Sequence, residues 1–312
     1  MKRSQQVGDY RFLFFDEAAR EQSGPILATL IERTDRLDGF EAIQAKKGKR
    51  PHVFRFRAGG ATFVGKWSRS QGVLDRARNL LRVSRGRRAW DNAARLLTLG
   101  FDTPQPVAYG ERRRAGVVRR SILITRELAN AWKLHQFLYQ FCGDPESREI
   151  RRSLMRSLGK LIAGLHRAGV HHSDLRSANI LVEQATNGLK LHLVDTEAVR
   201  FRDPVTEPQR LKNFGDVNFT FAPGVTITDR MRVFRSYADA LGMDRGERKR
   251  RLRRTIAACE RSMHAKIFKP QLRPYRIPSG RPYREQVETI TRILEPRLRS
   301  KAGADSFGDG LL

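Results

Sequence analysis

Asp174 and Asn179 stand five residues apart in His172-Ser-Asp174-Leu-Arg-Ser-Ala-Asn179, and Asp195 closes an apolar run just before Thr196-Glu197. An aspartate at such a turn can face an attacking hydroxyl. An amide and a second carboxylate, delivered by a short hairpin, can hold Mg²⁺ against phosphate oxygens. Each residue alone reads equally well as a turn aspartate, an asparagine cap or a strand-end aspartate. The spacing and the apolar run before each element favour a metal-nucleotide site over three coincidences. His172 reads as a residue that packs and hydrogen-bonds the loop, and His171 and His192 as incidental.

These residues need elements to position them. The segment Glu149–Ala168 carries Ile150, Leu154, Leu158, Leu161, Ile162 and Leu165 at helical spacing and delivers the chain to Gly169. Upstream, Phe40–Gln44, His52–Arg57 and Ala61–Trp67 read as short antiparallel strands, with the cationic turn Lys46–Arg50 between the first two. Lys66 ends the third of these strands, from which an ammonium could reach phosphates. An ordinary strand-edge lysine remains the alternative. Residues 73–99 are helical in pattern, ending at Gly100 before Thr103-Pro104, and Pro106–Gly110 and Val117–Thr125 read as two further strands. Further on, Asp216–Thr220 reads as a loop, Asp229–Leu241 as a helix, Arg245–Arg254 as a basic helix segment and Gln286–Leu298 as a last helix.

Charge is the unusual number. Against 33 Asp+Glu the chain has 61 Lys+Arg, a formal net charge of +28 over 312 residues. That excess favours a polyanionic partner such as nucleic acid, anionic lipid or phosphorylated sugar, and says nothing of fold. Nucleic acid lacks a supporting motif, because no aromatic-interleaved or recognition-helix pattern is present. Cys142 and Cys259 read as free thiols of a reducing compartment. The N-terminus shows no signal-peptide pattern and no segment has transmembrane length, so the expectation is a cytoplasmic protein attached by charge to a membrane surface.

In this order the segments resemble the protein kinase-like superfamily, and more closely the lipopolysaccharide kinases that phosphorylate heptose or Kdo in the inner core. The resemblance rests on Thr62-Phe-Val-Gly-Lys66-Trp, Arg87-Arg-Ala-Trp90, Leu99–Pro104, Ser121–Leu128, Val170–Leu181 and Asp229–Tyr237. It implies an α+β, two-lobed kinase-like fold, with a small antiparallel-sheet N-lobe at 39–128 and a larger, mainly helical C-lobe at 129–300. Residues 1–38 would be an N-terminal extension and 301–312 a disordered tail. The resemblance also implies ATP and Mg²⁺ as cofactors and an anionic glycolipid as acceptor. Asp174 would be the catalytic residue, Asn179 and Asp195 the metal ligands, and Lys66 the contact to the α- and β-phosphates. The backbone at Glu127, Leu128 and Ala129 would hold adenine.

The sequence departs from the protein kinases at three points. Ala89 stands where their helix carries the lysine's glutamate, with Asp91 the nearest acid. Thr196-Glu197 replaces Phe-Gly after the metal aspartate, and no Ala-Pro-Glu follows, so neither a flipping activation segment nor a protein-substrate platform is expected. The competing functions are a kinase for another hydroxylated small molecule, such as an aminoglycoside, and a non-catalytic pseudokinase docking through its arginines.

Overall fold

The structure, a computed structural model, describes residues 4–32, 41–44, 53–69, 83–141, 147–186, 188–219 and 225–267. The chain forms two compact units: Met1–Ala129 together with Asp195–Glu197, and Asn130–Val194 together with Ala198–Leu312.

The first unit is built on a seven-stranded antiparallel sheet. Its strands are β1 (Ser4–Val7), β2 (Tyr10–Phe14), β3 (Glu41–Gln44), β4 (Val53–Ala58), β5 (Ala61–Arg69), β6 (Pro106–Arg114) and β7 (Val117–Arg126), in the order β1-β2-β6-β7-β5-β4-β3. Aromatic residues at alternating positions build the core: Phe12, Phe14, Phe54, Phe56 and Phe63 are buried with Leu27 and Leu30 of helix α1 (Glu17–Glu32). Phe56 and Phe63 are cross-strand partners, their rings stacked at 5.5 Å. Gly65 faces Phe54 across the same pair of strands, and a Cβ there would enter the Phe54 ring, so the residue before Lys66 must be glycine.

Helix α2 (Arg85–Thr98) begins at Ser84, whose hydroxyl accepts from Arg87 N–H at 3.2 Å. It buries Ala89, Trp90, Ala93 and Leu96. The helix closes in a Schellman turn, with Gly100 at φ 79° and Phe101 N–H donating to the Leu96 carbonyl at 2.9 Å.

The second unit holds β8 (Ala131–Lys133), α3 (Leu134–Phe141), α4 (Arg148–Arg167), β9 (Val170–His172), a 3₁₀ turn Ser177–Asn179, β10 (Ile180–Ala185), β11 (Gly188–Leu193), β12 (Val199–Phe201), α5 (Glu207–Phe219), α6 (Ile227–Ala240) and α7 (Arg245–Ile267). Its strands form two small sheets, β11-β10-β8 and β12-β9, beside five helices among the described residues. Helices α4 and α6 meet at Gly159, where a Cβ would press against the Val233 carbonyl and come within 2.7 Å of Ser236 Cβ. Asp229, fully buried, closes a capping box with Thr226 at the start of α6 and pairs with Arg232 at 2.6 Å.

A sheet-bearing first unit and a mainly helical second unit agree with the α+β expectation. Two expectations need correcting. Residues 4–32 are no appendage, because β2 pairs with β6 and Tyr10, Phe12 and Phe14 are core residues. The segment 216–219 is helical rather than a loop: α5 runs through it, with Asn213, Phe214 and Val217 buried and Lys212 paired to Asp216 one turn on. The cationic turn 46–50, the helical pattern at 73–82, Cys142, Gln286–Leu298 and the tail lie outside the described residues. Cys259 is buried. No helix among the described residues is long and apolar enough to cross a membrane.

Candidate active site

In the second unit, β9 carries the chain into the loop that holds Asp174. His172 is fully buried at its base. Its Nδ1 accepts from Asp174 N–H at 3.2 Å, so its Nε2 is the protonated nitrogen facing the Val194 carbonyl at 3.1 Å. With both ring nitrogens engaged, this histidine shapes the loop and is not a proton acceptor. Asn213 Nδ2 donates to the His172 carbonyl at 2.6 Å, and Lys212 Nζ donates to that of Ser173 at 2.6 Å. Helix α5, which composition concealed, therefore clamps the loop from two positions.

Asp174 is about a third exposed, and its Oδ2 receives Arg176 Nη2 at 2.8 Å. Asn179, in the 3₁₀ turn, donates through Nδ2 to the Asp174 carbonyl at 2.8 Å and to Asp174 Oδ2 at 3.2 Å. Both Nδ2 bonds point the amide's donors at Asp174, and its Oδ1 remains as the hard oxygen a cation takes. His171 and His192 are buried, the latter bonded to Glu183 at 2.8 Å. Trp132 and Phe141 pack edge to face at 4.9 Å.

In the first unit, Lys66 reaches from β5 to Asp195 and to Glu197, the latter at 3.4 Å. Burial opposes the ammonium's charge, but Glu197 and then Asp195 outweigh it and lift its pKa above the ordinary 10.5. Asp195 has φ 58°, the left-handed region that aspartate tolerates and that concentrates at functional turns. The turn is fixed to α2 by Thr196 Oγ1 donating to the Ala89 carbonyl at 2.8 Å and Asn92 Nδ2 donating to the Thr196 carbonyl at 2.7 Å. Asp91 takes Arg87 at 2.8 Å, one helical turn earlier.

Glu127 N–H donates to the Thr62 carbonyl at 3.0 Å, and its carboxylate is locked to Arg55 at 2.7 Å, both side chains nearly buried. Leu128 and Ala129 follow it.

The residues read from sequence thus fall into two groups, Lys66 with Asp195, and Asp174 with Asn179. Glu197 and Arg176 were missed. Glu197 was visible only as the absence of Phe-Gly, and Arg176 only as a residue inside the motif.

Residues 63–237 match the profile of the lipopolysaccharide kinase (Kdo/WaaP) family. The chain is 28% identical over 215 residues to lipopolysaccharide core heptose(I) kinase WaaP of Pseudomonas aeruginosa, covering 64% of this chain and 80% of that one. It is 29% identical over 102 residues to 3-deoxy-D-manno-octulosonic acid kinase of Haemophilus influenzae, 32% of this chain and 39% of the other. A solved structure, WaaP in complex with acyl carrier protein, superposes with TM-score 0.60 at 24% identity, covering 83% of this chain and all of that chain, and that likeness shows the kinase-like fold.

Proposed function

Because this chain belongs to the lipopolysaccharide kinase (Kdo/WaaP) family, we propose that it transfers the γ-phosphate of ATP to a sugar hydroxyl, heptose or Kdo, of the lipopolysaccharide inner core. The observation that carries this reading is the pairing of Lys66 with Asp195. An ammonium held beside the proposed metal carboxylate suits a nucleotide triphosphate and supports a catalytic site over a pseudokinase.

Each residue then has a role. Lys66 neutralises the α- and β-phosphates. Asp195 and the Oδ1 of Asn179 are the oxygens for Mg²⁺, which supplies charge neutralisation on the phosphates when bound. Among the described residues no cluster of three acids, histidines or cysteines forms a preformed metal cage. Kinase-type Mg²⁺ needs none, since it keeps waters and takes one or two protein oxygens plus the substrate's phosphates. Asp174 orients the acceptor hydroxyl and takes its proton, while Arg176 and Asn179 hold the carboxylate still. With the Glu127 N–H committed to Thr62, adenine recognition falls to the Glu127 carbonyl and to the backbone of Leu128 and Ala129. Little covalent help is needed, because phosphoryl transfer is accelerated chiefly by positioning and neutralised charge.

Glu197, in the turn after Asp195, stands in for the glutamate absent at Ala89 by pairing with Lys66. The net charge of +28 supports work at an anionic membrane surface, which we place at the cytoplasmic face of the inner membrane. The solved WaaP structure holds an acyl carrier protein, a partner absent from the sequence reading, and a carrier-protein contact is proposed here on that likeness alone.

The test of the acceptor uses purified full-length protein, ATP and Mg²⁺ with inner-core lipopolysaccharide lacking sugar phosphates. An aminoglycoside serves in parallel. A mass gain of one phosphate on the lipopolysaccharide is expected; transfer to the aminoglycoside alone would overturn the glycolipid assignment.

A further inference from the structure

The first unit has a second concentration of charge that shares no residue with Lys66, Asp195 or Glu197. A cavity of about 750 Å³ is lined by Gln6 of β1, by Gly8 and Asp9 of the β1–β2 turn and by Arg112, Arg113, Arg114, Arg119 and Arg120 from β6 and β7. Among the described residues that line it, five are arginines and one, Asp9, is an acid, which takes Arg112 at 2.8 Å. Arg113 is partly engaged, by Glu111 at 2.7 Å and the Gly116 carbonyl at 2.9 Å.

The strand pairing works against this arrangement. Arg112 and Arg120 are direct cross-strand partners, and like charges placed opposite one another destabilise a sheet. The register then shifts, from Arg112↔Arg120 to Arg113↔Val118, so Arg119 is the extra residue of a β-bulge. Bulges re-aim a side chain at the cost of local pairing. Arg119 Nε is shielded from water with no hydrogen-bond partner, another local penalty. Stability alone would select against a cross-strand arginine pair, a bulged arginine and an unpaired donor in one place. Broken local rules of this kind mark binding sites.

We propose that this cavity binds a phosphate-bearing anion of headgroup size. Clustered guanidiniums match phosphate oxygens in paired hydrogen bonds, and a concave site suits a compact polyanion better than the flat surface of an acidic protein. The proposal does not rest on the phosphotransfer reading.

Two probes distinguish the sources of such a group: inorganic pyrophosphate for a free phosphate, and phosphatidylcholine vesicles with and without phosphatidic acid for a lipid headgroup. The full-length protein is compared with Arg114→Gln/Arg119→Gln and with a charge-matched control, Lys249→Gln/Arg250→Gln, on the exposed face of α7. Arg114→Gln alone lies on an exposed strand end and serves if the double variant does not fold. Removing two of the lining arginines should weaken binding of at least one probe about 30-fold, since each contributes roughly a fivefold factor near an anionic surface. The control should change it less than about twofold. Loss with pyrophosphate assigns a soluble phosphate, and loss with vesicles alone a headgroup. Equal losses in both variants would mean generic charge and overturn the site. So would an absence of binding to either probe, or binding only to acyl carrier protein.

Discussion

At Lys66 two carboxylates and burial pull on one ammonium, and the carboxylates win. Because the folded pKa lies above the ordinary 10.5, the stabilisation is fully present below that value and is lost as pH rises through the folded value. Glu197→Gln removes the first-ranked attraction and leaves Asp195 in place. It should raise KM for ATP about fivefold, equivalent to about 1 kcal/mol for a pair that is about a third solvent-exposed, with a smaller effect on kcat. It should also shift the alkaline limb of kcat/KM for ATP to lower pH. Initial-rate kinetics across pH would show both, and an unchanged limb would remove Glu197 from the site. Asp174, Asn179 and Asp195 could be singled out by type and spacing, whereas Lys66 was a lone strand lysine that only its order in the chain brought forward. Glu197 was not, because its reach to Lys66 depends on the left-handed backbone of Asp195 and on the Thr196 bond to Ala89.

The elements that hold these residues owe their order to buried contacts that sequence periodicity shows only in part. Helix α4 was plain from its leucines, whereas α5 was hidden by Asn213, Gly215 and Asp216, residues more usual in turns. Its position in the fold explains their presence. Asn213 bonds both the His172 carbonyl and, at 3.1 Å, His166 Nε2, whose Nδ1 lies 3.1 Å from the Tyr237 hydroxyl. Burial, with Arg210, His171 and Arg251 nearby, outweighs the Asn213 bond and lowers the His166 pKa to about 4. A lowered histidine pKa means the unfolded chain binds the extra proton, so stability falls as pH drops from about 6.5 to about 4, by about 3 kcal/mol in all. Urea midpoints at pH 7 and pH 5 should differ in wild type and differ much less in His166→Leu. Gly159→Ala is a second test of this packing. The Val233 carbonyl is backbone and cannot yield cheaply, so a loss of about 1–3 kcal/mol is expected in the same denaturation assay. The joining of β2 to β6 could not be read from the sequence, because a pairing between residues 11–14 and 108–111 leaves no local signal.

For the molecule as a whole, composition favours an anionic partner without saying where it would bind. The +28 charge is a property of the entire chain, and the fold gathers part of it into the cavity between the β1–β2 turn and the β6–β7 strands. Exposed charge is screened over about 8–10 Å at physiological salt, whereas a paired, partly buried lysine is screened less. Raising salt should therefore raise KM for a membrane-borne acceptor more than KM for ATP, a difference that steady-state kinetics on vesicles would register. We propose that Asp174 acts on the acceptor hydroxyl and that Lys66 and Asp195 anchor ATP. This is tested most directly by Asp174→Asn, with phosphate transfer to inner-core lipopolysaccharide and ATP affinity measured on the same preparation. Transfer should fall about a hundredfold to ten-thousandfold with ATP affinity nearly intact. Transfer at the wild-type rate would contradict it.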